Sequence, residues 1–316
     1  MTTRKYGLIN LGNTCYLNSV FQLFFNCDEF NNEIKNVRIT PEEKDKLILS
    51  YRTILLAKDG SIPENIKSFK LTHFYTKYKK KFPWLAGRQQ DADECIQLLF
   101  DTFHEEMKYS ASKRKFNRYM IDCILSEYRG SARTELFNFC KDNYSPMNDY
   151  FFGATHTAIT CQDCHYVSSK YEFFGNLQLS FDEEEALDEI IENNYQPEKI
   201  EDYKCAECKK TNNIKKVNII GLPKYLCITL KRFNFDMKRN RFLKNNKLIE
   251  FDEETTICNI KYKLNGIVNH SGAMNGGHYT AYGKYGDEWA QFDDESFRNV
   301  TEVNKQTAYI LMYERI

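Results

Sequence analysis

Apolar residues in the first half of the chain recur with a helical period. Leu17, Val20, Phe21, Phe24 and Phe25 fall at i, i+3, i+4, i+7 and i+8, and Ile96, Leu99, Phe100, Phe103 and Met107 nearly repeat that spacing. Each set predicts one stripe of a helix packed on a core. Between residues 150 and 218 the texture changes to aromatic and β-branched stretches, two Cys-x-x-Cys pairs and an acidic segment, 181–194, that suits a helix. From residue 219 onward IIGLPKYLCITLKRF, YKLNGIVNH, GHYTAYGKYG, EWAQFDD and TAYILMYERI predict strands, separated by Gly, Asn and Asp turn signals. The expectation is an α+β protein in which a helical half faces a sheet half. Only six prolines occur and no Gly/Ser-rich linker intervenes, so residues 1–316 are expected to form one folded unit with subdomains.

Charge narrows the classes of partner. Lys plus Arg and Asp plus Glu both number 44, leaving no net field to recruit nucleic acid or an anionic membrane. Local runs, basic at Lys77–Lys81 and Lys113–Lys115 and acidic from Asp182 to Glu185, fit solvated faces of helices or loops. No stretch approaches the roughly 18 apolar residues of a membrane span, and the N-terminus lacks the apolar core of a signal peptide. An intracellular protein, cytoplasmic or nuclear, is expected. Eleven cysteines, an odd number in a chain of this size, point to reduced thiols and metal ligands instead of a disulfide framework.

Three sites of chemistry stand out. Asn10-Leu-Gly-Asn-Thr-Cys15 places a thiol in the first turn of the first predicted helix, where unpaired N–H groups and the helix dipole are expected to lower its pKa. The Asn10 amide is a candidate donor to an oxyanion. His278 follows Gly276 and Gly277, which permit close backbone approach, and Asp293 lies fifteen residues later on what should be a neighbouring strand. A carboxylate there would fix the imidazole tautomer whose other nitrogen meets Cys15, giving a Cys, His, Asp triad. Cys161-x-x-Cys164 and Cys205-x-x-Cys208 predict a closed Cys₄ site for one structural zinc ion, because four thiolates leave no position open for catalysis.

The ordered set of motifs resembles the ubiquitin-specific protease family of papain-like cysteine peptidases. The matching stretches are GLINLGNTCYLNSVFQ (Gly7 to Gln22), RQQDADEC (Arg88 to Cys95), the two cysteine pairs, LPKYLCITLKRF (Leu222 to Phe233), HSGAMNGGHYTAYGK (His270 to Lys284), EWAQFDDES (Glu288 to Ser296) and AYILMY (Ala308 to Tyr313). The resemblance implies a helical thumb (about 1–145), zinc-bearing β fingers (about 150–218) and a β palm (about 219–316). It implies Cys15 as nucleophile, His278 as base, Asp293 as third member and Asn10 as oxyanion donor, with Asp294 a possible auxiliary acid. Asp91 and Glu94, which on their own favour a helix dipole, match positions that hold the arginines of the ubiquitin tail. Tyr279 and Tyr309 match walls of the channel over its terminal diglycine, beside Gly276 and Gly277. One departure is Cys95, which stands where an aromatic residue is common. The expected activity is hydrolysis of the bond after the C-terminal glycine of ubiquitin by a monomeric catalytic domain acting on ubiquitinated proteins. Two alternatives stay open: another ubiquitin-like modifier as substrate, or an inactive ubiquitin-binding relative.

Overall fold

The stripe beginning at Leu17 is a helix hydrophobic all round. In the computed structural model, which describes residues 4–36, 45–63, 65–85, 87–108, 134, 143–237, 240–273 and 276–316, every residue of α1 (Cys15–Phe25) is buried. Such a helix belongs at the centre of a core, and its polar members are paired: Asn18 donates to the Leu8 carbonyl and Gln22 to the Tyr6 carbonyl, each at 2.9 Å. Packed around it are α2 (Asp28–Lys35), α3 (Leu47–Leu56), α4 (Thr72–Lys81), α5 (Ala92–Met107) and the short α6 (Pro146–Tyr150). The second stripe lies in α5. The Phe24 ring meets Phe30, Tyr51, Phe100, Phe103 and Phe151 at centroid distances of 5.7–6.3 Å, so one side chain of α1 gathers rings from α2, α3, α5 and the segment after α6. The basic run 77–81 closes the last turn of α4, where cations complement the helix dipole. The run 113–115 lies outside the described residues. Among the described residues, no helix is long and apolar enough to cross a membrane.

The strands, in chain order, begin with a short parallel pair, β1 (Gly7–Leu8) and β2 (Ser68–Phe69). Next come β3 (Gly153–Cys161), β4 (Val167–Phe174), β5 (Asn176–Leu179), β6 (Glu185–Ala186), helix α7 (Leu187–Asn194), β7 (Glu198–Ile200) and β8 (Asn213–Gly221). Four of these form an antiparallel sheet in the order β4-β3-β8-β7, thin and largely half-exposed. Beyond them lie β9 (Tyr225–Leu230), the hairpin β10 (Phe233–Asp236) and β11 (Arg241–Lys244), β12 (Ile249–Glu250), β13 (Glu254–Ile257), β14 (Ile260–Ala273), β15 (Gly276–Tyr285), β16 (Glu288–Asp293), β17 (Ser296–Val300) and β18 (Ala308–Arg315). The large sheet runs β17-β16-β15-β14-β18-β9-β5, with β13 on β14.

That sheet is a wall between two cores, which explains the unbroken apolar run YLCITL in β9. Tyr225 and Cys227 join the helical core, while Leu226, Ile228 and Leu230 join the core on the opposite face. Two details differ from the sequence reading. The acidic helix starts only at Leu187, because 182–185 bring carboxylates and no apolar face to bury. The span 150–218 is divided among three sheets: β3, β4, β7 and β8 form the four-stranded one, β6 pairs with β12, and β5 buries Leu177 and Leu179 and runs parallel to β9 in the large one.

Candidate active site and cysteine cluster

The loop before α1 is folded by one side chain. Asn10 Oδ1 accepts from the Gly12 and Thr14 backbone N–H groups (2.9 and 3.1 Å) and from the Thr14 hydroxyl (3.2 Å), while Gly12 and Asn13 take the left-handed conformation that tightens the turn. Cys15 is thereby the first residue of α1. It lines a cavity of about 180 Å³ together with Tyr16, Gln89, Gln90, Asp91, Glu94, Phe233, His270, Gly277 and Tyr279.

The expected depression of the Cys15 pKa is corrected here. Burial pushes the thiol up and the Asp294 carboxylate adds to the rise, whereas backbone N–H groups of Tyr279, Tyr16 and Cys15 pull it back. The helix terminus contributes donors as expected, but with the residue only 5% exposed the loss of water outweighs them. The balance therefore favours the protonated thiol over the thiolate.

His278 on β15 and Asp293 at the end of β16 come together through the antiparallel pairing of their strands. His278 Nε2 lies 2.6 Å from Asp293 Oδ1, an interaction that assigns the proton to Nε2 and leaves Nδ1 as the basic nitrogen. Both side chains are open to solvent, His278 at 44% and Asp293 at 61%. Among the described residues, the hydrogen bond of His278 goes to Asp293 and not to Cys15.

Asp294 faces α1. Its backbone is left-handed, its carbonyl accepts from Leu8 N (2.7 Å), and its carboxylate accepts from Asn10 Nδ2 and Asn18 Nδ2, both at 2.8 Å. The next residue explains Gly7: a Cβ there would sit 2.1 Å from the Glu295 carbonyl oxygen. Asn18, one turn after Cys15, escaped the sequence reading, although a polar residue on a buried helix was a usable signal.

Asp91 caps α5 by accepting from Asp93 N at 2.7 Å, and the Tyr309 hydroxyl lies 2.8 Å from both of its carboxylate oxygens. Burial raises its pKa, and the Tyr309 hydrogen bond opposes the rise. Glu94 is exposed at the cavity mouth. Tyr279 and Tyr309 pack 6.1 Å apart behind it. Gly277 meets Gln89 across the cavity: Gln89 Nε2 donates to the Gly277 carbonyl (3.2 Å) and Gly277 N donates to Gln89 Oε1 (3.3 Å). Among the described residues, nothing lies within 4 Å of a Cβ position on Gly276. Asp93, also missed, ties helix to sheet by accepting from Thr229, Asn176, Gln97 and Gln178.

The two cysteine pairs occupy matching turns. His165 and Lys209, each just after a pair, are left-handed and donate back to the carbonyls of Cys161 and Cys205 (3.0 and 3.1 Å). The four sulfurs lie within 4.8 Å of one another, with Cys161 to Cys208 at 3.5 Å and Cys164 to Cys205 at 3.6 Å. A tetrahedron with Zn–S bonds of ~2.3 Å has edges of ~3.8 Å, so the donor set fits a metal of that class. All the described cysteines are free thiols.

Comparison with known proteins places this geometry. The family profile described as ubiquitin carboxyl-terminal hydrolase matches residues 6–313. Ubiquitin carboxyl-terminal hydrolase 2 of Rattus norvegicus is 28% identical over 98% of this chain and 53% of its own length; ubiquitin carboxyl-terminal hydrolase 5 of Saccharomyces cerevisiae is 26% identical over 98% and 44%. The chain thus spans about half the length of such curated relatives. A solved SAGA DUB module, Ubp8 with Sgf11, Sus1 and Sgf73 bound to monoubiquitin, superposes with a TM-score of 0.76 at 26% identity, covering 100% of this chain and 70% of that one. With its matched span running almost end to end, the chain belongs to the ubiquitin carboxyl-terminal hydrolase family.

Proposed function

We propose that this protein is a thiol-dependent ubiquitinyl hydrolase that cleaves the peptide or isopeptide bond after the C-terminal glycine of ubiquitin. The observation that carries the reading is the His278–Asp293 pair at 2.6 Å, placed on the sheet that packs against the helix headed by Cys15. In this scheme His278 Nδ1 takes the thiol proton and the sulfur attacks the glycine carbonyl. The second amide hydrogen of Asn10 and the backbone N–H of Cys15 receive the oxyanion, and the amine leaves with the proton from His278 before water hydrolyses the thioester. Asp294 acts on Asn10 and Asn18. The extended tail enters beside Gly276, Gly277, Tyr279 and Tyr309, with Glu94 and Asp91 as partners for its arginines. The folded body of ubiquitin lies on the cleft of about 530 Å³ between α5 and strands β4 and β5.

The division into thumb (about 1–145), fingers (about 150–218) and palm (about 219–316) belongs to the same reading. So do a single structural zinc ion on Cys161, Cys164, Cys205 and Cys208, a monomeric catalytic unit and an intracellular, cytoplasmic or nuclear location. The zinc clasps two turns of the fingers and takes no part in the chemistry. The test is release of a fluorophore from a ubiquitin C-terminal amide by the wild type and by Cys15→Ala. Turnover lost in the variant with ubiquitin binding retained supports the proposal. A variant as active as the wild type would overturn the nucleophile. A panel of modifiers carrying C-terminal electrophiles tests the substrate: preferential labelling by a modifier other than ubiquitin, or by none, overturns it.

A further inference from the structure

His270 is 3% exposed, yet it lines the same cavity as Cys15, Gly277 and Tyr279. Its ring is enclosed by Tyr279, Phe233 and Tyr309 at centroid distances of 4.6, 5.3 and 6.3 Å. A Cβ on Gly277 would stand 2.0 Å from His270 Nε2, so only glycine admits the imidazole edge at this wall. Nε2 has no hydrogen-bond partner among the described residues. The other nitrogen does. Lys244 at the end of β11 points its ammonium at three acceptors: the His270 carbonyl (2.7 Å), the Gly272 carbonyl (3.2 Å) and His270 Nδ1 (3.1 Å). An ammonium only donates, so Nδ1 must accept and the ring proton must sit on Nε2.

We propose that His270 is a fixed hydrogen-bond donor in the substrate channel, presenting Nε2–H to a backbone carbonyl of the extended tail, and that Lys244 is the residue that fixes it. The proposal rests on the reading of this cavity as the channel for the ubiquitin tail. A peptide in extended form brings carbonyl oxygens that lose water on entry and need donors. The wall also carries the carboxylates Asp91 and Glu94, aromatic faces and two side-chain amides, Gln89 and Gln90, whose Nε2 groups already donate to the Gly277 and Leu85 carbonyls. Charge keeps the donor neutral: burial, then Lys244, then His278 hold His270 down to about 4.

The tautomer is read by imidazole ¹⁵N NMR of the full chain, and function by turnover of a ubiquitin C-terminal amide. The wild type is expected to show an Nε2-protonated, neutral His270, and its Nε2–H signal should shift when Cys15 is captured by a ubiquitin-derived electrophile. His270→Phe is expected to lower kcat/KM about tenfold, chiefly through KM, with His270→Gln recovering part of the loss. In Lys244→Met the Nε2 tautomer is no longer enforced, so the spectrum is expected to show a share of Nδ1-protonated ring and kcat/KM to fall part of the way toward that of His270→Phe. An Nδ1-protonated wild type, an unshifted signal in the adduct, or a folded His270→Phe with unchanged kcat/KM would each overturn the proposal. Absence of wild-type turnover on ubiquitin would overturn the channel reading instead, while the free-enzyme spectrum would still decide whether Lys244 sets the tautomer.

Discussion

Asn10 and Asp294, 284 residues apart, are joined by a 2.8 Å hydrogen bond from the Asn10 amide to the Asp294 carboxylate. The same Asn10 side chain folds the loop that presents Cys15, and the same carboxylate contributes to the elevated pKa of the thiol. One bond therefore couples the position of the Cys15 thiol to its ionisation. Asp294→Asn should lower the Cys15 pKa, because the negative charge beside the sulfur is gone. Sign follows from direction: a raised thiol pKa means that the thiolate appears only as pH climbs. Alkylation of free wild-type enzyme by iodoacetamide should keep rising through the alkaline range, and the variant's curve should lie at lower pH. Coincident curves would refute the coupling.

Asp293 is expected to matter through orientation more than charge. With both partners well exposed, solvent screens their attraction. Asp293→Asn preserves a hydrogen-bond acceptor and should cost about ten- to a hundredfold in kcat, and Asp293→Ala more. Steady-state kinetics on a ubiquitin C-terminal amide decide this, and equal losses in the two variants would argue for charge instead.

Gln89 bridges the cavity by engaging both backbone groups of Gly277. An entering tail must compete with that bridge. Gln89→Ala is expected to lower KM about threefold to tenfold at similar kcat, the equivalent of one or two partly exposed hydrogen bonds. A rise in KM would show that Gln89 holds the substrate instead of the closed channel.

Lys58 is buried against the Phe25 ring, its ammonium 3.8 Å from the centroid, and burial lowers its pKa from 10.5 to about 7. The nearby acids Asp59 and Asp28 offset part of that shift. Between about 7 and 10.5 the unfolded chain binds more protons than the folded one, so stability rises with pH across this window. Lys58→Met should flatten the rise and raise stability at neutral pH by on the order of a few kcal/mol. Urea melts from pH 6 to pH 10 measure both effects, and parallel profiles for the two proteins would contradict the assignment.

The sheet β4-β3-β8-β7 has few fully buried side chains, and its turns at 161–164 and 205–208 converge on the sulfur cluster. Cys161→Ser is expected to abolish retention of one zinc ion per chain and to lower the midpoint of thermal unfolding. Metal analysis after dialysis, alongside a melt with and without chelator, provides the check. A chain that holds no zinc, yet melts unchanged with chelator, would remove the clasp.

The sequence by itself determined the helical and strand periods, the settings that make Cys15, His278 and Asp293 candidates, and the paired spacing of Cys161, Cys164, Cys205 and Cys208, because these are local patterns with local physical causes. Period tells which face of a helix or strand is apolar, and a Cys-x-x-Cys turn aims its own two sulfurs. Only the tertiary structure decided what lies across from each residue. Whether Cys15 is acidified or silenced depends on the water it loses between α1 and the sheet and on a carboxylate 279 positions later in the chain (294 minus 15), not on its helix terminus alone. Burial decided β5 as well: four residues expected among the fingers pair with β9 because Leu177 and Leu179 complete the second core. Asn18, Gln89 and His270 were equally invisible, since each acts on a backbone or side chain brought near by folding. Such effects depend on distance through space and on local dielectric, neither of which is written in residue order.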